Sequence, residues 1–314
     1  VTLMSSIAEE TRELLASIRA RPTEDVIGRT DLLDQVHRGA HDLDDLDLNP
    51  VLARVDAGGA PRRSSRSGRI EPPPTLDAQI LKDAAPVFQR GEKMQLTYEV
   101  RNTQRSIGAR TSSAIVRQFG ADGLSTDHLT IRLSGSAGQS LGCFGAKGPR
   151  IELDGDANDY VGKGLSGATI IVRPYAKMRA RAHEDAVIGN TCLYGATSGR
   201  LFAAGRAGAR FAVRNSGATT VVEGCGANGC EYMTGGVALI LGRVGDNFAA
   251  GMTGGRVFVF DEDGRFEHLL NADSVVAGPL EEADEADVIS LLERHRTETR
   301  SHRAALMLAD WPAF

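Results

Sequence analysis

The hydrophobic pattern changes near residue 95. Before that point, apolar residues recur three or four positions apart within residues 7–20 and again within residues 76–89, which predicts amphipathic helices. A further helix is predicted after Thr23, because the acidic side chains of Glu24 and Asp25 favour a helix N-terminus. The first part of the chain is therefore expected to be helical.

Residues 60–74 interrupt these helices with Ser, Arg, Gly and Pro and contain few apolar residues, which indicates a linker or an extended arm. After it, residues 96–100 alternate like a strand, and residues 109–119 read as one more short helix.

From about residue 127 to residue 260, short β-type runs recur at a nearly constant interval. Each run is introduced by a glycine, at Gly148, Gly167, Gly199, Gly217, Gly236 and Gly255. Successive starts lie 19, 32, 18, 19 and 19 residues apart, so the interval of 32 is one repeat plus an insertion, which we place at residues 175–185. A period near 19 is typical of a solenoid, in which each repeat buries its apolar side only against its neighbours.

A mainly β fold is therefore predicted, as a right-handed parallel β-helix of coils of about 19 residues. Three short strands form each predicted coil, with glycine at the corners. No helical segment of about 12 residues separates the runs, so alternating strand–helix crossovers fit poorly. An irregular sandwich with glycine-rich turns is the alternative that periodicity alone leaves open.

A solenoid exposes apolar surface at both ends, so each end needs a cover. The helix at residues 109–119 is expected to cover the first coil. Residues 281–308 have helical apolar spacing at Val288, Leu291 and Leu292 and are expected to cover the last coil.

Composition excludes several classes of function. Lys and Arg total 36 against 41 Asp and Glu, and the resulting net charge of −5 gives no support to nucleic-acid or membrane-surface binding. No apolar run reaches the roughly 18 residues of a membrane helix, and no signal peptide is evident. The four cysteines form no CxxC pair, which favours free thiols in a reducing compartment. A soluble cytoplasmic protein is expected.

Four local patterns suggest chemistry, and each has a plainer interpretation. Cys225 and Cys230 are interpreted as small buried thiols, because a zinc site needs further ligands. Residues 162–167 (GKGLSG) do not match a phosphate-binding loop and are interpreted as solenoid corners. The three carboxylates of residues 154–159 lack the spacing of a calcium loop and are expected to satisfy turns. The three carboxylates are those of Asp154, Asp156 and Asp159. Glu231 and Tyr232 either contact a partner, line a passage or contribute to packing.

No grouping of Ser, His and Asp or of Cys and His is legible, so no catalytic, cofactor-binding or metal-binding residue is predicted in this chain. Four arginines are expected to pair with acidic residues at the coil surface or at a subunit boundary. They are Arg101, Arg110, Arg173 and Arg214.

Several glycine-rich blocks occur in one order along the chain, and together they resemble the C-terminal β-helix (GXGXG) domain of the glutamate synthase large subunit. The blocks are residues 99–110 (EVRNTQRSIGAR), 135–142 (GSAGQSLG), 154–167 (DGDANDYVGKGLSG), 193–199 (LYGATSG), 211–218 (FAVRNSGA), 230–236 (CEYMTGG) and 247–255 (NFAAGMTGG). The resemblance extends more weakly into the N-terminal helices.

The resemblance implies a scaffold subunit that exists as its own polypeptide. The family's N-terminal cysteine nucleophile, FMN barrel and iron–sulfur cysteines have no counterpart in this sequence. No cofactor is therefore expected in the chain, whereas FMN and an iron–sulfur cluster are expected in partner subunits. The expected partners are a glutamine amidotransferase subunit and an FMN-binding subunit like that of glutamate synthase, and neither nucleic acid nor membrane is expected.

The expected organisation has three parts: a helical arm at residues 1–94 that packs on a partner, the GXGXG β-helix at 95–280 and a helical cap at 281–314. The implied activity, carried by the partners, is transfer of glutamine-derived ammonia and reductive amination of 2-oxoglutarate. The alternative is a β-helix scaffold in another complex, either like formylmethanofuran dehydrogenase or an amide-transfer enzyme of secondary metabolism.

Overall fold

The computed structural model describes residues 2–39, 44–56, 58–64, 67–68, 70 and 73–313. The chain divides into two compact units, Val1–Pro72 and Pro73–Phe314. The first unit contains helix α1 (Thr2–Ser17), the short helix α2 (Asn49–Leu52) and two 3₁₀ turns, Thr23–Asp25 and Thr30–Leu32. No residue of these four elements is buried.

Two sequence predictions concern this unit. The helix predicted within residues 7–20 is confirmed by α1. The helix predicted after Thr23 is wrong, because only a single 3₁₀ turn forms there and the left-handed Gly28 follows it. Part of the predicted linker (residues 65, 66, 69, 71 and 72) lies outside the described residues, and its described part holds no helix or strand.

The second unit begins with helices α3 (Leu76–Asp83) and α4 (Ala85–Arg90), strand β1 (Met94–Val100) and helix α5 (Ala109–Phe119). These elements confirm the helical and strand patterns predicted for residues 76–119. Thr75 caps α3 by accepting the N–H of Ala78, and the left-handed Gly91 ends α4.

Nine further strands follow: β2 (Leu129–Ala137), β3 (Pro149–Ala157), β4 (Ser166–Arg173), β5 (Ala186–Ile188), β6 (Ser198–Ala203), β7 (Arg206–Ala207), β8 (Ser216–Val222), β9 (Thr234–Ile240) and β10 (Gly254–Val259). With β1 they form one parallel, open sheet in the order β1-β2-β3-β4-β6-β8-β9-β10, while the short strands β5 and β7 pair with each other beside β3.

The sheet follows the interval found in the sequence. Paired residues lie 20 apart between β2 and β3, 19 between β3 and β4, 31 between β4 and β6, 19 between β6 and β8, 18 between β8 and β9 and 19 between β9 and β10. The insertion predicted at residues 175–185 contains the 3₁₀ segment Arg179–Glu184. The repeat is therefore the unit of strand pairing, although most repeats contribute one main strand and not the three that were predicted.

The two faces of the sheet have different covers. Residues in register on one face, such as Ile131, Ile151 and Ile170, form the main core with the turns that join the strands. On the other face, Phe202, Val221 and neighbouring apolar residues pack against the C-terminal helices α7 (Glu282–Thr299) and α8 (His302–Ala309).

This second cover differs from the sequence expectation. Residues 281–308 are not confined to the last repeat: they lie across the face of β4, β6 and β8 and also reach β10, where Arg256 pairs with Asp284 and Asp287. Beyond β10, the chain is covered instead by α6 (Phe266–Leu269), whose Phe266 ring contacts Phe248 at 5.6 Å between centroids. At the other end α5 is placed as predicted, with Ile115 in the main core and Ser112 Oγ accepting the N–H of Ala146.

Candidate interaction surface at the left-handed turns

Every repeat contains a turn with three left-handed residues at alternate positions. Their φ angles lie between 54° and 67°. In chain order the first, second and third positions are Ser140, Gly142, Phe144; Tyr160, Gly162, Gly164; Thr191, Leu193, Gly195; Arg210, Ala212, Arg214; Asn228, Cys230, Tyr232; and Asn247, Ala249, Gly251. Only glycine adopts this conformation without strain, and an L-residue there costs roughly 1–2 kcal/mol. The fold therefore imposes this backbone on many residues that would otherwise avoid it.

Hydrogen bonds between neighbouring turns explain how this backbone is held. First and third positions donate their N–H to the following turn: Tyr160 to the Asn190 carbonyl and Gly164 to the Tyr194 carbonyl, both at 2.8 Å. Second positions donate to the preceding turn, as Leu193 does to the Val161 carbonyl at 2.8 Å. The alternating directions satisfy main-chain groups on both sides of each inner turn, so the turns stack as regularly as the strands.

The second positions point inward, and their side chains are small or aliphatic and buried. Cys230 is one of them, and Cys225 lies nearby with its side chain also fully buried. Burial raises the pKa of Cys225 to about 12 and, with the neighbouring Cys225, raises the pKa of Cys230 well above its ordinary value. Both groups are therefore protonated thiols of the core, and all four cysteines are free.

The suggested calcium ligands have partners within the protein. Asp154 is 3.6 Å from Arg173, Asp156 accepts a 2.6 Å hydrogen bond from Ser136, and Asp159 accepts the N–H of Asn190 at 2.8 Å. Among the residues that the structure describes, no three His, Cys, Asp or Glu side chains are grouped so as to hold a metal ion. Residues 162–167 form a left-handed turn and enter strand β4 instead of a helix, which is unlike a phosphate-binding loop.

The outer side of the turns carries a strip of aromatic and cationic side chains. We call it the turn strip and define it as Phe144, Tyr160, Lys163, Tyr194, Arg214 and Tyr232. Phe144 is 58% exposed, Tyr232 52% and Tyr160 36%. The Lys163 ammonium lies over the rings of Tyr160 and Tyr194 at 5.5 and 6.0 Å, and the Arg214 guanidinium lies over Tyr232 at 5.8 Å.

Two glycines make room for rings of the turn strip. A Cβ on Gly164 would lie 2.7 Å from the Phe144 ring, and one on Gly251 would collide with the Tyr232 ring. Each ring thus lies over the third position of the following turn, which explains why glycine stands there. Glu231, beside Tyr232, is 3.7 Å from Arg210, so its carboxylate is paired at this surface.

The four arginines expected to pair with acids have different surroundings. The prediction is confirmed for Arg173, which forms ion pairs with Glu152 at 3.3 Å and with Asp154. Arg214 instead stacks on Tyr232. The hydrogen bonds given for Arg101 and Arg110 come from their main-chain N–H groups, to Gln104 at 2.8 Å and Asp77 at 2.6 Å.

A largely buried ionic cluster fixes the end of α7 to the sheet. Arg150 bridges Glu152 (2.5 Å) and Glu298, while Arg173 Nε donates to the Glu298 carbonyl at 2.6 Å. Burial alone raises the pKa of Glu152, but Arg150 and Arg173 outweigh it and hold that pKa below its ordinary value. The cluster is therefore charged near neutral pH and attaches a helix to the sheet.

A buried Ser, Glu and His also meet where α7 leads into α8. No local sequence signal marks this group, because Glu223 lies more than 70 residues from the other two. Ser301 Oγ donates to the Glu223 carboxylate and accepts the N–H of Ala304, and His295 Nε2 is 3.5 Å from Glu223. None of the three is more than 3% exposed, and the serine bonds the carboxylate instead of the imidazole. The arrangement caps a helix and lacks the geometry of a hydrolytic triad.

The segment that contains these turns lies within a match to a known family. A family model described as the GXGXG motif matches residues 77–314. The chain belongs to the GXGXG family. In this GXGXG protein, Gly162 and Gly164 occupy alternate left-handed positions of one turn, whereas the other turns fill most of these positions with other residues.

Curated relatives extend the match beyond the GXGXG model. The NADPH glutamate synthase large chain of Azospirillum brasilense is 59% identical over 99% of this chain and 21% of its own length. The large chain from Bacillus subtilis is 42% identical over 99% and 21%. The NADH glutamate synthase of Schizosaccharomyces pombe is 41% identical over 98% and 15%. The GXGXG chain is similar to the C-terminal domain of the two bacterial large chains and spans about a fifth of their length, and it spans 15% of the Schizosaccharomyces pombe protein.

In the described part of the GXGXG chain, no helix is both long and apolar enough to cross a bilayer.

Proposed function

We propose that this chain is the structural scaffold of an enzyme of the glutamate synthase type. The observation that carries the proposal is the ladder of left-handed turns, which gives a stiff, internally satisfied surface next to buried, unreactive thiols. Its relatives are large chains of glutamate synthases, in which about four-fifths of the length lies outside the matched segment. The hydrolytic and redox chemistry belongs, in this proposal, to those other parts.

In fold terms, the proposed scaffold is a right-handed parallel β-helix of about 19 residues per coil. The main strand forms one wall and the left-handed turn a second. The short strands β5 and β7, which pair in parallel, belong to a third. The inter-turn hydrogen bonds support this interpretation because they repeat from coil to coil as the strand pairs do. Residues 95–280 form the β-helix and 281–314 its helical cover.

The partners of the proposed scaffold are a glutamine amidotransferase part and an FMN-containing part that also holds an iron–sulfur cluster, in the cytoplasm. The first releases ammonia and glutamate from glutamine and water. The second combines ammonia with 2-oxoglutarate, two protons and a hydride equivalent from reduced FMN, giving glutamate and water. Ammonia must pass between the sites without escaping to solvent, so a rigid body that fixes their separation has chemical value.

In this proposal the arm packs on the FMN part through residues 1–72. The rest of the arm predicted at residues 1–94 lies in the second unit, where Ile80 and Val87 are fully buried in the core. Helix α1 supports the idea, because it buries no residue of its own while Leu3, Ile7 and Leu14 are 73%, 48% and 63% exposed. An amphipathic helix with an open apolar face requires a surface to cover it, and a partner supplies one.

Affinity purification of the tagged chain from cells in which it is native tests the proposed function. We expect an FMN protein and a glutamine amidotransferase to co-purify in constant ratio and to be identified by mass spectrometry. The isolated chain should show neither glutaminase activity nor 2-oxoglutarate-dependent NAD(P)H oxidation. Turnover by the chain alone, or recovery of neither partner, would contradict the proposal.

Limited proteolysis tests the arm separately. Without partners, residues 1–72 are expected to be cleaved while residues 73–280 resist, because Ile80 and Val87 are buried in the core of the second unit, and the complex should protect both segments. Equal resistance of the two segments in the isolated chain would remove the arm from the proposal without affecting the scaffold.

A further inference from the structure

The exposed rings of the turn strip lower the stability of the folded protein. Phe144, Tyr160 and Tyr232 all have left-handed backbones, which disfavour L-residues, and each leaves at least a third of its surface in water. Apolar surface in water forgoes the stabilisation that burial gives. The glycines of the next turn cover only part of the ring surface of Phe144 and of Tyr232. The outer surfaces of these rings therefore remain available to contact another molecule.

The cations of the strip also lack counterions. Among the described residues, no carboxylate lies within ion-pair distance of Lys163 or Arg214, although acidic residues outnumber basic ones in the chain. By contrast, the nearby Arg210 is paired with Glu231. Two unpaired cations seated on exposed rings are complementary to a ligand that carries both carboxylates and apolar groups.

The dimensions of the strip select an extended ligand. From the turn of Phe144 to that of Tyr232 there are four steps between stacked turns. Neighbouring parallel chains are about 4.8 Å apart, so the strip is about 19 Å long. An extended peptide rises about 3.3 Å per residue, so roughly six residues span it.

We propose that the turn strip binds an extended acidic segment of a partner polypeptide, with carboxylates on Lys163 and Arg214 and aliphatic side chains against Tyr160 and Tyr232. This inference rests on the proposed function, since it names the chemistry by which the scaffold recognises an enzyme part. It adds a second contact to that of the arm and uses a different surface.

A peptide probe tests the chemistry directly. A fluorescein-labelled six-residue peptide that alternates Glu and Leu is titrated with the full chain at low ionic strength, and its anisotropy is followed. A peptide that alternates Lys and Leu is the control. Because the chain carries a net charge of −5, unspecific attraction would favour the Lys peptide, so a preference for the Glu peptide reports the strip.

We expect the Glu peptide to bind about tenfold more tightly than the Lys peptide and to be released by salt, as for two exposed ion pairs. The double variant Lys163→Glu/Arg214→Glu should reverse this preference. The matched variant Lys177→Glu, which changes an exposed lysine outside the strip, should leave it unchanged. Thermal unfolding of each variant establishes that it is folded. The proposal would be overturned if the wild type bound both peptides equally, or if Lys177→Glu changed the preference as much as the double variant does.

The complex provides the second test and separates the two proposals. If the double variant recovers at least tenfold less of the partner proteins than the wild type does, while Lys177→Glu recovers the wild-type amount, the strip is a docking surface. If partners bind the wild type and the double variant equally, the strip proposal fails and the scaffold function stands. If the wild type recovers no partner, the proposed function fails, and the peptide titration alone decides the strip.

Discussion

At the scale of single residues, the left-handed turns distinguish two reasons for glycine. Gly142 and Gly195 have nearly the same φ, +66° and +63°. A Cβ on Gly142 would collide with Ile170 in the core, whereas a Cβ on Gly195 meets nothing within 4 Å. The first glycine is required by space and conformation together, the second by conformation alone.

Alanine substitutions separate these contributions. Gly195→Ala should lower the free energy of unfolding by about 1 kcal/mol, the cost of a left-handed alanine. Gly142→Ala should lower it by about 1–3 kcal/mol more, because the methyl group overpacks the core. Urea denaturation of both variants measures the difference. Equal losses of unfolding free energy would show that the core around Ile170 accommodates the added methyl group without destabilisation.

The buried thiols predict a loss of stability in alkali. Burial raises the pKa of Cys192 and of Cys225 to about 12, while in the unfolded chain a thiol titrates near 9. The folded form therefore retains protons that the unfolded form loses. The stabilisation is complete below pH 9 and is lost as the pH rises from 9 towards 12.

Urea unfolding between pH 8 and 11 measures this loss. Replacing Cys225 by Ala should reduce the slope of stability against pH by on the order of 1 kcal/mol per pH unit. Cys143→Ala is a weaker control, because a hydrogen bond with Ser106 and the charge of Lys163 partly oppose the rise that burial causes in the pKa of that thiol. An unchanged slope in Cys225→Ala would show that the thiol is not buried in the native protein.

Residue chemistry was only partly readable from the sequence. Glycines at corners and buried, unpaired thiols were predicted and are found. The left-handed Phe144, Tyr160 and Arg214 were not predicted, because L-residues avoid this region and only hydrogen bonds between turns distant in sequence enforce it. Their spacing relative to the glycines of other repeats was the available signal.

At the scale of elements, the repeat interval predicted the pairing of strands, because equal spacing places equivalent residues in register. The prediction placed the C-terminal helices only at the last repeat, whereas they also lie across the middle of the sheet. Strands such as β4 and β6 have continuous apolar runs, Ile170 to Val172 and Leu201 to Ala203, which are typical of strands buried on both faces. That pattern indicated a cover along the sheet and not only at its end.

The ionic cluster beneath α7 predicts that this cover loosens in acid. Arg150 and Arg173 hold the pKa of Glu152 below its ordinary value of about 4.5. The stabilisation is present above the pKa of the unfolded chain and is lost as the pH falls through the lower pKa of the folded protein.

Hydrogen exchange of α7 between pH 6 and pH 3 checks this. Opening of α7 should become easier as the pH falls, once intrinsic exchange rates are corrected. Glu152→Gln should already show easier opening at pH 6, with less further change in acid. Glu99→Gln, an exposed carboxylate on β1, is the control and should behave as the wild type. Wild-type behaviour of Glu152→Gln would mean that apolar contacts alone hold the helix.

At the scale of the whole molecule, the two units differ in what stabilises them. In the second unit, every inner strand has a partner on each side and apolar residues are buried on both faces of the sheet. Helix α1 of the first unit has 16 residues and buries none. A helix of this length is marginal in water without tertiary packing.

Amide hydrogen exchange in the isolated chain should therefore report opening free energies from near zero up to that of global unfolding. Amides of α1 are expected to exchange close to the rate of a synthetic peptide of residues 2–17, whereas those of β4 and β8 open only with global unfolding. Binding of the FMN part should slow α1 specifically and leave the already protected strands unchanged. Protection of α1 equal to that of β4 in the isolated chain would mean that the arm has found its own cover, and its proposed role on a partner would then lose its basis.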